Sequence, residues 1–222
     1  MNNQFILING IHYQKDINGK PIKYQAWLGD IFASFYDRIM EKSIFPKKFG
    51  GDINKHFEIL QHEFQQIENQ KILDIAAGSG NVVSFISNNN HYSGTDISPG
   101  LLKIAAKKLK KANFTNFQFH ICDVCNLPFE DDFYNVAICN LSINFFPDLK
   151  RFIVELKRIL KPDGKFFCTI PLPEKKLKNV KIRGKLFTQV ELADMFEEAG
   201  FKFLPLPYEN GNLLYFWTIK LK

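Results

Sequence analysis

The chain has 222 residues and a formal net charge of +6, with 45% hydrophobic and 23% charged residues. This length favours one globular domain with additional elements at one end over two independent domains. No apolar run approaches the roughly 20 residues that a membrane-spanning helix needs. Residues 1–5 lack the charged start and apolar core of a signal peptide, so we expect a cytoplasmic protein without a membrane span.

The first 68 residues differ in pattern from the rest of the chain. The dipeptide Asn18-Gly19, between two apolar runs, predicts the turn of a β-hairpin. Apolar side chains at helical spacing predict a helix over residues 27–44. Asp52 can cap a second helix that runs to about residue 67.

From residue 71 onward, apolar runs that predict strands alternate with helical patterns. The predicted strands cover residues 71–76, 92–95, 117–122, 134–139 and 164–170. The predicted helices between them cover residues 81–87, 100–111 and 148–160. This alternation favours a parallel sheet with helices on both faces.

The end of the chain breaks the alternation. Thr188 can cap a helix over residues 189–199, and two strand patterns follow over residues 201–206 and 213–221. The loop between these strands is too short for a crossover, so the strands must be antiparallel. A mainly parallel sheet with an antiparallel end argues against a classical dehydrogenase.

Glycine and acidic residues follow the predicted strands. The loop from Asp74 to Gly80 follows the first strand, Asp96 ends the second and Asp123 ends the third. Ligands of open α/β sheets bind beyond the carboxyl ends of the strands, so these loops indicate a nucleoside site in which Asp96 accepts hydrogen bonds from ribose hydroxyls. The loop lacks the third glycine of the dinucleotide fingerprint, which counts against NAD.

Four segments, in this order, resemble the motifs of class I S-adenosylmethionine (SAM)-dependent methyltransferases. They are Asp74-Ile-Ala-Ala-Gly-Ser-Gly80, Gly94-Thr-Asp-Ile-Ser98, Cys122-Asp-Val-Cys-Asn-Leu-Pro-Phe129 and Leu160-Lys-Pro-Asp-Gly-Lys165. The resemblance is nearest to the small-molecule group that includes ubiquinone/menaquinone C-methyltransferases. It implies a Rossmann-like α/β fold: a mainly parallel seven-stranded sheet with an antiparallel C-terminal strand and helices on both faces.

The resemblance also implies SAM as the methyl donor, S-adenosylhomocysteine as the product, and a set of cofactor contacts. The methionine and ribose portions would be surrounded by Asp74, Ala76, Gly78, Gly80 and Tyr36, and the ribose hydroxyls would bind Asp96. The adenine would contact Ile97, Asp123 and Val124. The sulfonium end would lie against Asn140 and Leu141. Each residue also has a structural interpretation. The acidic residues can cap turns, Ile97 can belong to the core, and Asn140 can stabilise its own loop.

Aromatic residues near the N-terminus predict the acceptor side of the site. We expect residues 1–68 to form a hairpin and a helical substrate lid over a SAM-binding core, residues 69–222, although the same aromatics can simply pack the helices together. The predicted substrate contacts are Tyr24, Trp27, Phe32 and Asn144. Asn144 stands where some relatives have histidine and cannot act as a base. No catalytic residue is assigned, and Tyr36 and Asn140 are the candidates.

The expected function is methyl transfer from SAM to a small, apolar or aromatic acceptor by in-line displacement. Two alternatives stay open: a methyltransferase that docks RNA or protein on lysine-rich residues 175–185, and a SAM-binding module without catalysis. We expect no metal, no stable nucleic-acid partner, and a monomer or homodimer. Cys122 and Cys125, spaced C-x-x-C, are interpreted as packing residues, and the lone His12 and His56 as surface or packing residues.

Overall fold

The computed structural model describes residues 4–24, 35–174 and 180–222. Their strands form one sheet in the order β1-β2-β5-β4-β3-β6-β7-β9-β8. The strands are β1 Phe5–Ile8, β2 Ile11–Gln14, β3 Lys71–Ile75, β4 His91–Thr95, β5 Phe117–Ile121, β6 Tyr134–Asn140, β7 Leu160–Pro171, β8 Phe201–Pro205 and β9 Leu213–Lys220.

The helices lie between these strands along the chain. They are α1 Tyr36–Ile39, a π-helix Met40–Phe49, α2 Ile53–Phe64, a 3₁₀ turn Asn81–Ser84, α3 Pro99–Lys111, a 3₁₀ turn Ile143–Phe145, α4 Leu149–Ile159 and α5 Gln189–Glu198. None of the helices in the described part of the chain combines the length and the apolar character that crossing a membrane requires.

The sheet confirms the predicted fold class but not the predicted number of strands. Strands β3 to β7 are mutually parallel, and β9 pairs antiparallel with both β7 and β8. The described residues contain nine strands rather than seven because the N-terminal hairpin extends the sheet: β2 pairs parallel with β5, with His12 opposite His120. The division of the chain at residues 68 and 69 stays a prediction.

The turn of this hairpin is not where the sequence placed it. Asn9 and Gly10, with φ of 51° and 79°, connect β1 to β2, as a two-residue hairpin turn requires. Asn18-Gly19 instead closes a smaller loop, where Lys15 pairs with Pro21. Both dipeptides favour the same turn, but the ladder of four residue pairs forms between β1 and β2, whereas Asn18-Gly19 is followed by a single bridge.

The first predicted helix also ends later than expected. Residues 25–34 lie outside the described residues, and α1 continues as a π-helix through Pro46 to Phe49. Gly50, with φ of 63°, ends it, and its N–H donates to the carbonyl oxygen of Phe45. Asp52 then caps α2 as predicted, because its carboxylate accepts a hydrogen bond from the N–H of Asn54 at 2.8 Å.

Helices cover both faces of the sheet, as predicted. On one face α4 and α5 bury Leu156 and Phe196 around Phe166. On the other face α2 and α3 bury Phe64 and Leu102 within a second cluster. Since both faces of the central strands are covered, polar side chains of these strands are available to a ligand mainly at the strand ends.

The loop after β3 packs closely on α3. Gly80 has a φ of 78°, and a Cβ atom at this position would lie 2.7 Å from both Cα and Cβ of Ala105. Those atoms belong to a helix and cannot give way as a flexible side chain would. Gly80 therefore sets the distance between the loop and the helix.

We expect Gly80→Ala to lower the free energy of unfolding by about 1–3 kcal/mol more than Gly19→Ala. Gly19 has a similar φ of 72°, but a Cβ atom there would meet no other atom within 4 Å, so it shares the backbone cost without the collision. Urea denaturation of both variants measures the difference. Equal losses would show that the contact with α3 is not tight.

Candidate active site

A cavity lies at the carboxyl ends of β3 and β6. Of the residues predicted to bind a cofactor, it is lined by Asp74, Ala76, Gly78, Asn140 and Leu141. The sequence did not predict the other wall, which comes from the π-helix and α2 and is formed by Met40, Phe45, Ile53, His56 and Phe57. One side of the cavity is thus polar backbone and carboxylate, and the other is largely apolar.

The backbone of residues 74–80, the glycine loop, leaves space on the side of the cavity. Ala76 and Gly78 have φ of 59° and 56°, and no atom lies within 4 Å of where a Cβ of Gly78 would be. The N–H of Gly78 donates to Asp96 Oδ2 at 2.8 Å, and the N–H of Ser98 donates to Asp96 Oδ1 at 2.9 Å. These bonds fix the Asp96 carboxylate beside the loop.

Asp74 is a buried carboxylate, with 5% of its surface exposed. Burial raises the pKa of Asp74 to about 7; the hydrogen bond from the Tyr92 hydroxyl, at 2.8 Å, opposes this shift, and the charge of Asp96 adds to it. No salt bridge within residues 4–24, 35–174 and 180–222 reaches Asp74. A cationic ligand group in the cavity would offset this cost of burial.

The loop after β5 is held by the N-terminal hairpin. Gln14 Oε1 accepts from the N–H of Asp123 at 2.9 Å, and Gln14 Nε2 donates to the Asn126 carbonyl at 2.9 Å. The Asp123 carboxylate accepts from the N–H of Cys125. Tyr24 lies near this loop: burial, and then the charge of Asp123, raise the pKa of its hydroxyl.

Several predicted residues lie outside the cavity lining. Ile97 follows β4 and is 43% exposed, and Val124 packs on the core. Asp123 and Gly80 also do not line the cavity. The structure therefore brings five of the predicted cofactor contacts together around the cavity, whereas Gly80, the predicted ribose contact Asp96 and the predicted adenine contacts lie outside its lining.

The predicted acceptor contacts are only partly described. Trp27 and Phe32 lie outside the described residues, and for Tyr36 the structure describes only its place at the start of α1. Asn144 is buried, and its amide donates to the Arg183 carbonyl at 2.8 Å. It is absent from the cavity lining, so its observed contacts are structural.

Asp37 links α1 to the glycine loop. Its carboxylate accepts hydrogen bonds from Ser79 Oγ at 2.6 Å and Asn81 Nδ2 at 2.9 Å, and it forms a salt bridge with Lys108. Burial raises the pKa of Asp37, but the bonds from these three groups outweigh it and lower the pKa overall. No local sequence pattern indicates this contact, because its members lie far apart along the chain.

His56 is the main functional candidate that the sequence interpretation missed. It lines the cavity with 1% of its surface exposed, so of the two predicted roles, surface or packing, burial excludes the first and agrees with the second. Its Nδ1 lies 2.9 Å from the Tyr215 hydroxyl, and its Nε2 lies 3.2 Å from Asn140 Nδ2. Burial lowers the pKa of His56 to about 3, and the bond to Asn140 opposes this. His56, Leu60 and Phe64 are four residues apart and so share one face of α2, and this spacing was the sequence signal that His56 is buried.

The chain is similar to known methyltransferases over the part that forms this site. Residues 73–168 match the family described as "Methyltransferase domain". The ubiquinone/menaquinone biosynthesis C-methyltransferase UbiE of Rickettsia massiliae is 35% identical over 108 residues, which is 45% of this chain and 44% of the relative. The demethylmenaquinone methyltransferase of Chlorobaculum parvum is 29% identical over 150 residues, or 64% and 60% of the two chains.

This chain thus spans less than half the length of the first relative, and the similarity lies mainly in the region of the four motifs. Among solved structures, a SAM-dependent methyltransferase from Aquifex aeolicus superposes with a TM-score of 0.65 at 16% identity. The match covers 83% of this chain and 96% of that one. At this identity the likeness concerns the fold.

We expect Gln14→Leu to lower the free energy of unfolding by about 1–3 kcal/mol for each group it leaves unpaired. Gln14 is buried and bonds both Asp123 and Asn126, so the nearly isosteric leucine removes two hydrogen bonds without opening a large cavity. Gln66→Leu, at an exposed position after α2, is the matched control. Urea denaturation of both variants measures the effect, and equal stability would contradict it.

Proposed function

We propose that this chain, which through residues 73–168 belongs to the class I SAM-dependent methyltransferases related to UbiE, transfers a methyl group from SAM to a small, apolar or aromatic acceptor. The observation that carries the proposal is the cavity at the strand ends, where a buried carboxylate without a salt bridge in the described residues faces an open glycine loop and an apolar wall. An apolar wall suits an acceptor of the same character.

The residues of the site fit SAM. SAM carries an ammonium and a sulfonium, and the buried Asp74 offers the opposite charge. The open space at Gly78 admits a ligand against the backbone. Asp96 is oriented by two N–H donors, and a carboxylate has lone pairs enough to accept ribose hydroxyls as well. Ile97, 43% exposed, offers an apolar surface for a flat ring.

When bound, SAM supplies a methyl group on a sulfonium, and its transfer leaves the electron pair of the broken bond on the sulfur of S-adenosylhomocysteine. The protein's task is then to align the acceptor with that methyl group and to exclude water. Phe45, Phe57 and Met40 are suited to this because they form the apolar side of the cavity. Asp74 and Gly78 hold the opposite, polar side.

The names of the relatives support a small acceptor. The UbiE protein of Rickettsia massiliae is named as a C-methyltransferase of ubiquinone and menaquinone biosynthesis. We therefore propose that the methyl group is transferred to a carbon atom of the acceptor. Calorimetry with SAM, S-adenosylhomocysteine and NAD tests the donor, and labelled SAM with a panel of acceptors tests the transfer. A folded chain that binds neither sulfur nucleoside would overturn the proposal.

We expect Asp96→Ala to weaken SAM binding by about 1–3 kcal/mol, the scale of a lost hydrogen bond to a charged group. The variant also removes the acceptor of the Gly78 and Ser98 N–H groups, so the loop loses its orientation. Titration calorimetry measures the affinity. Asp194→Ala, at an exposed position of α5, removes the same charge from the protein outside the site and should bind SAM as the wild type does.

We expect SAM affinity to fall as the pH is lowered through about 7. In the unbound protein Asp74 has a pKa of about 7, and a bound cation favours its ionised form, so binding below that pH must release a proton. The dissociation constant should rise by up to about tenfold per pH unit. His56, whose pKa is about 3, stays neutral throughout this range.

Calorimetry between about pH 5.5 and 7.5, below the usual pKa of an α-amino group, measures this dependence. Repeating each titration in buffers of different ionisation enthalpy counts the protons released. Asp74→Asn should bind more weakly than wild type at the upper end of the range and show a flat profile. A wild-type affinity that does not change with pH would remove Asp74 from the cation site.

A further inference from the structure

Four polar side chains beside the cavity form one bonded group, which we call the Lys108 cluster. Its members are Asp37 of α1, Ser79 of the glycine loop, Asn81 of the 3₁₀ turn and Lys108 of α3. The Lys108 ammonium donates to the Asp37 carboxylate, to Asn81 Oδ1 at 2.6 Å and to Ser79 Oγ at 3.3 Å. The three donors of one ammonium thus meet acceptors from three different elements.

The Asp37 carboxylate completes this cluster. Its Oδ1 accepts from Ser79 Oγ at 2.6 Å and from Asn81 Nδ2 at 2.9 Å, and its Oδ2 accepts from Lys108. The amide of Asn81 has one orientation, because its oxygen faces an ammonium and its N–H₂ group faces a carboxylate. The cluster therefore depends on one positive and one negative charge, which cancel each other.

The Lys108 cluster borders the proposed cofactor site. Ser79 and Asn81 line the cavity, and each of them bonds to both charged groups. The side chains of Asp37 and Lys108 are 45% and 29% exposed. Because both are partly shielded from water, a net charge left on either one would act on the cavity more strongly than a charge on a fully exposed side chain.

The packing of α3 keeps Lys108 beside the glycine loop. A Cβ atom at Gly80 would lie 2.7 Å from Ala105, and Lys108 follows Ala105 by three residues, on the same face of the helix. The backbone of Lys108 is therefore fixed next to the loop by the contact that supports the loop itself. The charge that compensates Lys108 comes from another part of the chain, namely from Asp37 of α1.

Without this compensation Lys108 would oppose the proposed ligand. SAM carries a carboxylate, an ammonium and a sulfonium, so its net charge is +1, whereas S-adenosylhomocysteine lacks the sulfonium charge and is neutral overall. An unpaired ammonium that is one hydrogen bond away from Ser79 and Asn81 in the cavity lining would repel SAM more than S-adenosylhomocysteine. The Asp37 carboxylate removes this difference because it bonds the ammonium directly.

We propose that Asp37 is a positioning residue that sets donor specificity: it cancels the charge of Lys108 and thereby lets the site bind the cationic donor SAM in preference to the neutral product. This inference rests on the proposed function. Asp37 acts through Lys108, Ser79 and Asn81, whereas Asp74 lines the cavity itself. A site that does not favour S-adenosylhomocysteine over SAM releases its product more readily after each transfer.

The ratio of the dissociation constants of SAM and S-adenosylhomocysteine isolates this charge effect. A loosened loop weakens both ligands together, whereas an added local charge acts mainly on SAM. We expect the nearly isosteric Asp37→Asn to weaken SAM relative to S-adenosylhomocysteine by about fourfold or more, the scale of one charge about 10 Å away at an effective dielectric constant of about 40. Titration calorimetry at low ionic strength measures both constants, and equal weakening of the two ligands would overturn the proposal.

Removal of the opposite charge should have the opposite effect. Lys108→Met has a side chain of similar length and leaves Asp37 unpaired, so it should shift the ratio toward SAM. The double variant with Asp37→Asn is neutral again and should return to the ratio of the wild type, although the salt bridge is lost. A double variant that adds the two single shifts in the same direction would contradict the proposal. If Asp37→Asn does not fold, Lys108→Met decides, and a ratio that stays constant or moves away from SAM overturns the proposal.

The control is Asp132→Asn, which makes the same change in net charge. Asp132 forms a salt bridge with Lys220 and lies two residues before β6, at the end of that strand opposite to the cavity. We expect this variant to keep the ratio of the wild type, and an equal shift would reduce the effect to net charge and overturn the proposal. A folded wild type that binds neither ligand refutes the proposed function and this inference with it. Binding of both ligands with the same ratio in every variant refutes the role of Asp37 alone.

Discussion

Burial of both faces of the central strands is the constraint on which the rest of the structure depends. Strands β3 and β6 lie in the middle of the sheet, and their side chains pack against helices on either side. Polar side chains are costly there, so the residues that can meet a ligand are displaced to the ends of the strands. Asp74 and Asn140, at the ends of two adjacent strands, face one cavity for this reason.

The sequence predicted those parts of the fold that local pattern determines. Apolar periodicity located the central strands within a residue or two at most ends, and Asp52 and Thr188 cap helices as expected. Contacts between distant residues were not predictable in the same way. Asn9-Gly10 and Asn18-Gly19 are equivalent by local chemistry, and they differ in the structure by the segment that pairs with β2, which is β1. His56 meets Tyr215 159 positions away.

The described N-terminal residues contribute both apolar and polar side chains to the site: Phe45 and Phe57 line the cavity, and three polar side chains bond or line the strand-end loops. Strand β2 supplies Gln14 to the loop after β5, α1 supplies Asp37 to the glycine loop, and α2 supplies His56 to the cavity. Each is bonded to residues of the part of the chain from residue 69 to 222. The geometry of the strand-end loops is therefore set jointly by both parts of the chain.

The left-handed backbone at Ala76 and Leu141 has a consequence for how the site responds to ligands. Neither residue is glycine, and both stand beside the cavity with φ near 60°. Sheet-like hydrogen bonds hold them there, since the N–H of Ala77 donates to the Thr95 carbonyl and that of Leu141 to the Thr169 carbonyl. The free-energy cost of this backbone strain is thus borne during folding, which leaves the site preorganised. Ligand binding then does not carry the entropic cost of ordering the loops that contain Ala76 and Leu141.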